Sequence, residues 1–164
     1  MEVEKCIKER RSVRSYIRKP INHKDIEYII ESAIMAPSGK NGQPWRFHGI
    51  NDADQIENVC DFLKCEPWVK NAGGLIFVFL DRNKSYDYTK DMQSCGAAIQ
   101  NMLLTAESLG ISSCWIGSVA SKSEIINNYL KIDSNYELVA MVSLGYKVTR
   151  CIHPGRNEFE SFLV

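Results

Sequence analysis

The strongest constraint on how this chain can fold is the run Gly74-Leu75-Ile76-Phe77-Val78-Phe79-Leu80, which has no polar side chain. A strand with one wet face alternates apolar and polar residues, and an amphipathic helix repeats its apolar positions every three or four. This run does neither. Its aromatic and β-branched content reads as a strand covered on both faces and central to its sheet. It is also far short of the ~18–20 apolar residues of a membrane-spanning helix.

The rest of the chain supplies the cover. Val3 and Ile7, set among charges in residues 3–11, suggest a short amphipathic helix ending near Ser12-Val13. A second helix starts after Asn22, a capping residue, with Asp25 supporting its first turn and Ile26, Ile29, Ile30 and Ala33 as its apolar stripe. Pro37 stops it, and residues 37–44 form a loop rich in turn-forming types before a strand from Trp45 to Ile50. Asp52 to Leu63 reads as a capped helix. After the central strand, a polar connection leads to a buried helix whose stripe runs from Cys95 to Leu109 and stops at Gly110. Ser112–Ile116 and Glu137–Leu144 read as further strands around a short helix near 122–130. Residues 147–164 carry no periodicity. With no internal repeat or linker, residues 1–164 read as one domain.

Charge narrows the function. The chain carries 20 Lys+Arg against 20 Asp+Glu, so its whole surface is not a polyanion binder. Yet residues 1–20 hold seven basic and three acidic side chains. Cys6, Cys60, Cys65, Cys95, Cys114 and Cys151 are scattered through apolar stretches, as expected of a chain kept in a reducing compartment. They show no C-x-x-C spacing, and His23, His48 and His153 lie far apart, so no metal is expected. Without an apolar secretory core at the start, the expectation is a cytoplasmic protein with no membrane partner.

Three stretches carry chemistry. Arg10-Arg11-Ser12-Val13-Arg14 combines guanidinium groups, a hydroxyl and backbone amides at a helix end, an inventory suited to a phosphate and a polar ring edge. A solvated basic face explains it as well. Pro37-Ser38-Gly39-Lys40-Asn41-Gly42-Gln43-Pro44-Trp45 puts hydroxyl and amide groups on a stiff loop, or is simply a structural turn. Cys114-Trp115-Ile116-Gly117-Ser118 ends a strand where bare backbone N–H groups can approach a flat ligand, or is a tight turn.

Together, in this order and spacing, these stretches resemble the nitroreductase family of flavin mononucleotide (FMN) enzymes. The resemblance spans nearly the whole chain and includes Gly96-Ala97-Ala98-Ile99-Gln100-Asn101, Leu109-Gly110 and Leu144-Gly145-Tyr146. It implies an α+β fold, a three-layer α-β-α sandwich around a mainly antiparallel sheet, and a homodimer with flavin sites at the subunit interface. By the same resemblance Arg10 and Ser12, with Arg11 in the same basic cluster, face the flavin phosphate, and Arg14 lies beside the N1/O2 edge of the ring. Pro37, Ser38 and Asn41 match positions contributed by the partner subunit. Gly117 and Ser118, following Ile116, match the pair facing N5 and O4, and Arg156 matches a phosphate-binding arginine. The implied reaction is a ping-pong transfer of hydride from NAD(P)H through the flavin to a nitroaromatic, quinone or similar small-molecule acceptor. The protein itself supplies no general acid or nucleophile. The tail 147–164 is expected to wrap the partner. Only Asp81 to Ser94 joins the central strand to the next helix, where larger members insert helices, leaving Tyr86 and Tyr88 as a partial lid over an open site. The competing reading is a flavin-binding sensor, carrier or accessory protein without nicotinamide turnover. Nucleic-acid binding leaves residues 37–45 and 117–118 unexplained.

Overall fold

A computed structural model describes residues 2–148 and 155–164; Cys151, His153 and the middle of the tail lie outside the described residues. In chain order the elements are α1 (Val3–Glu9), β1 (Tyr16–Ile17), α2 (His23–Ile34), β2 (Trp45–Ile50), α3 (Ala53–Phe62), β3 (Gly74–Asp81), α4 (Tyr88–Ser108), β4 (Ser112–Ile116), α5 (Ser123–Leu130) and β5 (Tyr136–Lys147).

All eight residues of β3 are buried. It pairs antiparallel with β2 on one edge, Trp45 opposite Leu80, and with β5 on the other, Gly74 opposite Leu144. The far edge of β5 is shared by β4, along Met141–Gly145, and by β1, at Tyr146–Lys147. One parallel contact, an isolated bridge between Ser12 and Ser113, draws the basic segment against β4.

Each face of β3 meets a different helical layer. Ile76, Val78 and Leu80 pack with α2 and α4 through Ile26, Ile29, Ala98, Ile99 and Met102. Leu75, Phe77 and Phe79 point the other way, onto Ile56, Val59 and Cys60 of α3 and Ile126 of α5. The period-two geometry of a strand thus turns an unbroken apolar run into two cores and three layers. Each fully buried Ile, Leu or Phe contributes roughly 1.5–3 kcal/mol. A bulge on β5 opposite Val78/Phe79 adds one residue, so that Val139 and Ala140 both join the α2/α4 side.

Helix ends follow local chemistry. The side chains of Asn22, Asp52 and Asp87 accept hydrogen bonds from the amides of Lys24, Gln55 and Lys90 and so cap α2, α3 and α4. Gly110, with φ at 72°, follows the end of α4. Helix α4 begins seven residues before Cys95: Tyr88–Lys90 are exposed and the buried positions of its first two turns, Asp91 and Ser94, are polar, so no apolar stripe marks them. The connection from β3 is therefore shorter than residues 81–94, and Tyr88 is the first helical residue rather than part of a loop. Its hydroxyl is fastened to Glu137 at 3.0 Å.

Candidate functional site

Two hollows hold most of the singled-out residues, and they share no lining side chain. The first, about 450 Å³, opens beside the C-terminal end of β4 and is lined by Arg14, Glu66, Trp68 and residues Cys114–Ser118. The segment from Arg10 to Arg14 reaches it because the Val13 amide donates to the Ser113 carbonyl at 3.0 Å, extending the Ser12–Ser113 bridge. Its charges converge on one buried group. Burial raises the Cys114 thiol above its ordinary value, and Arg14, a hydrogen bond with the Ser12 side chain and Arg10 pull against that rise. Arg14 lines the cleft, Ser12 and Arg10 act on its Cys114 wall, and Ser12 and Arg14 face solvent.

Arg11 takes a different course. Its guanidinium bonds the carbonyls of Lys8 and Arg10, both at 2.7 Å, closing the end of α1, while its Nε is buried without a partner.

The walls are aromatic. Trp68 packs against Tyr16 with ring centroids 6.1 Å apart, and Trp115 remains 41% exposed. At the end of β4, Gly117 leads into a 3-10 turn over Ser118–Lys122, whose first N–H groups have no carbonyl within the turn to bond. A Cβ at 117 would meet nothing closer than Trp115 Nε1 at 3.9 Å. The bare backbone therefore faces open space, as a closely stacked planar ligand requires.

Glu66 and Trp68 are not singled out from the sequence, and Trp115 enters there only within the Cys114–Ser118 stretch. Glu66 and Trp68 belong to the 3-10 turn Pro67–Asn71 and its cap, after α3, and only the tertiary fold brings that turn to the end of β4. An aromatic residue beside a proline in a polar connection was the available signal.

The second hollow, about 310 Å³, is lined by Pro37, Ser38, Gly39, Tyr86 and the first turns of α4 from Lys90 to Ala97. Its loop is strained. Lys40, Asn41 and Gln43 all have positive φ, between 47° and 55°, a conformation that costs a non-glycine residue on the order of 1–3 kcal/mol. The loop is held by the Gln43 amide donating to Ser38 Oγ at 3.0 Å. Gly39 lets Tyr86 close over the loop, since a Cβ there would lie 2.2 Å from the tyrosine oxygen. Tyr86 is thus committed to this hollow, with Lys40 and Lys90 over its ring at 4.7 and 5.6 Å. Arg156 stands exposed in the tail, its guanidinium 3.4 Å from the Gly155 carbonyl.

A third surface bears on assembly. Val3, Tyr28, Ile34, Met35 and Leu104 line an apolar groove of about 610 Å³ across α1, α2 and α4. Met35 is 78% exposed and Val3 68%. Among the described residues there is no cluster of three or more His, Cys, Asp or Glu able to hold a metal ion, and no helix long and apolar enough to cross a membrane.

The donor set fits FMN. Guanidinium and hydroxyl groups suit a phosphate, aromatic walls suit a planar ring, and the Gly117 backbone lines the same cleft.

The model of the nitroreductase family matches residues 7–72 and 62–146. An Archaeoglobus fulgidus protein provisionally named NADH dehydrogenase/NAD(P)H nitroreductase is 35% identical, the match covering 88% of this chain and 86% of that one. The 4-nitrobenzoate reductase of Pseudomonas putida is 29% identical over 88% of this chain and 85% of its own length. Among solved structures, a provisionally assigned nitroreductase of Desulfovibrio desulfuricans in complex with FMN superposes with a TM-score of 0.89 at 32% identity, over 100% of this chain and 96% of that one.

Proposed function

The chain belongs to the nitroreductase family, and from that premise we propose that it is an FMN-dependent NAD(P)H oxidoreductase whose two sites are each completed by a second copy of the chain. The observation that carries the reading is the meeting of Arg14 with the Gly117–Ser118 backbone at one aromatic-walled cleft, to which the Ser12–Ser113 bridge ties the Arg10–Arg14 segment. FMN held there would supply the redox chemistry for a ping-pong transfer of hydride from NAD(P)H to a nitroaromatic, quinone or similar acceptor.

The protein's part is to hold and polarise. Arg10 and Ser12 would bind the phosphate, joined by Arg156 of the tail. Arg11 serves this set indirectly, by fixing the end of α1 from which Arg10 projects. Arg14 faces the N1/O2 edge, where its fixed positive charge favours the negative charge that reduction brings. The N–H groups at Gly117 and Ser118, after Ile116, orient the opposite edge.

Pro37 and Ser38 line a different hollow from Arg14 in the same chain, and with Asn41 of the same loop they act, as the family resemblance implies, on a flavin held by the partner. The apolar groove around Met35 supplies the surface for that homodimer, because exposed large side chains grouped this way gain by association. The tail, part of the same single domain, wraps the partner, and the free cysteines suit the reducing cytoplasm. Tyr86 packs on the Pro37–Asn41 loop, so it approaches the flavin from the partner's side.

The test is FMN affinity. Arg10→Ala removes a charged contact of about 1.5–3 kcal/mol and should weaken FMN binding roughly ten- to a hundredfold. Unchanged affinity in a folded variant would remove Arg10 from the site.

A further inference from the structure

Helix α3 ends in a complete Schellman closure. The Lys64 amide donates to the Asp61 carbonyl at 3.1 Å and the Cys65 amide to the Cys60 carbonyl at 2.8 Å. Lys64 supplies the left-handed residue, φ 49°, usually a glycine. This closure brings together the side chain at the third residue from the helix end and the one just beyond the left-handed residue, ordinarily as an apolar contact. Here both are cysteines.

The geometry is that of a bridgeable pair. A path from Cα to Cα through the 2.8 Å hydrogen bond cannot exceed about 7 Å even if straight, and any bend brings it into the disulfide range. The two thiols are close enough for each to shift the other's titration, Cys60 upward and Cys65 downward.

Their surroundings differ. Cys60 is fully buried and Cys65 only half-buried. The hydrogen bond from Cys60 and then the positive charge of Lys122 hold the Cys65 thiol below its ordinary value, against the effect of burial. Lys122 is anchored beside it on the Leu63 carbonyl. The same hydrogen bond, with burial, pushes the Cys60 thiol well up. An accessible thiol beside a cation, backed by a buried one, is the arrangement of an attacking and a resolving cysteine.

We propose that Cys60 and Cys65 form a peroxide-sensitive dithiol, a modification site that closes reversibly to a disulfide with Cys65 attacking and Cys60 resolving. The Cys65 sulfur attacks one oxygen of hydrogen peroxide and the O–O bond breaks. The other oxygen leaves as water with the thiol's proton, and Cys65 becomes a sulfenic acid. The Cys60 sulfur then attacks that sulfur, and the sulfenic hydroxyl leaves as a second water with the Cys60 proton. Two thiols lose two electrons and two protons, and the peroxide takes up both. The pair sits one residue from Glu66, a wall of the cleft, but the step does not use the flavin.

The experiment treats the reduced full-length protein with hydrogen peroxide, alkylates what remains under unfolding conditions, and maps the cysteines by mass spectrometry. Cys95 is the internal reference, its buried thiol pushed up to about 12. The expected result is a 60–65 linked species, two hydrogens lighter and restored by dithiothreitol, forming at least about tenfold faster than any oxidation of Cys95. Cys65→Ser should leave Cys60 unoxidised, and Cys60→Ser should let Cys65 run on to sulfinic acid. Recovery of both wild-type thiols at the rate of Cys95, or a wild-type Cys65 that becomes sulfinic without bridging, would overturn the proposal. The wild-type measurement decides even if a variant fails to fold. Because it reads thiols and not turnover, its failure would leave the flavin reading standing.

Discussion

Asp91→Ala tests how the second hollow is built. Asp91 is 1% exposed at the start of α4. Its Oδ2 accepts from the Ser85 hydroxyl at 2.8 Å, the Tyr86 amide at 3.0 Å and the Asp87 amide at 3.1 Å. This one oxygen therefore shapes the turn that sets Tyr86 against Gly39, and its charge also suits the first turn of a helix. Alanine strands three donors. Hydrogen bonds to a charged group contribute about 1.5–3 kcal/mol each. Ser85 and Tyr86 are partly exposed and regain water, which offsets much of the total. The expected loss is about 3 kcal/mol, or about 6–12 °C in Tm for a chain of this size. Urea unfolding with an unchanged m-value measures it. Ser94→Ala is the control, since that hydroxyl only returns to the Lys90 carbonyl of its own helix; it should cost no more than about 0.5 kcal/mol. A loss below about 1 kcal/mol for Asp91→Ala would refute the reasoning.

The other predictions concern assembly and pH. Met35→Asp, at a position 78% exposed in the single chain, should leave unfolding of the protomer within about 0.5 kcal/mol and raise the dimer dissociation constant by at least about tenfold, read by sedimentation over a concentration series. The Asp87 carboxylate is held below its ordinary value by the Lys90 amide it caps and by the Lys90 side chain. A depressed carboxylate stabilises the fold above its unfolded value of about 3.9, and that contribution is lost as pH falls through the lower folded value. Asp87→Ala should therefore lower Tm at neutral pH, with the gap from wild type closing below about pH 3.9; a gap constant down to acid would contradict the capping role.

How much was legible in the sequence depended on whether the signal was local. The unbroken apolar run of β3 and the caps Asn22 and Asp52 act within a few residues, and the folded chain places them as read. The start of α4 did not stand out because Tyr88 to Lys90 are exposed; the Asp87 cap with Asp91 in the first turn was the signal to weigh. Arg14 and Gly117 were readable as a motif and do line one cleft. Glu66 and Trp68 were not, because no spacing in the sequence encodes the approach of the turn after α3 to the end of β4. No C-x-x-C spacing marks the Cys60–Cys65 pair, because a Schellman closure joins residues five apart.

Reduction of acceptors through FMN bound between two copies is the activity proposed for the chain. Its most direct test is anaerobic stopped-flow of the FMN-loaded protein mixed with NADH or NADPH, following the flavin absorbance and then adding a quinone or nitroaromatic. Full bleaching by at least one nucleotide, and recovery on adding the acceptor, are expected. A folded protein that takes up no FMN, or one whose bound flavin neither nucleotide bleaches, would contradict it.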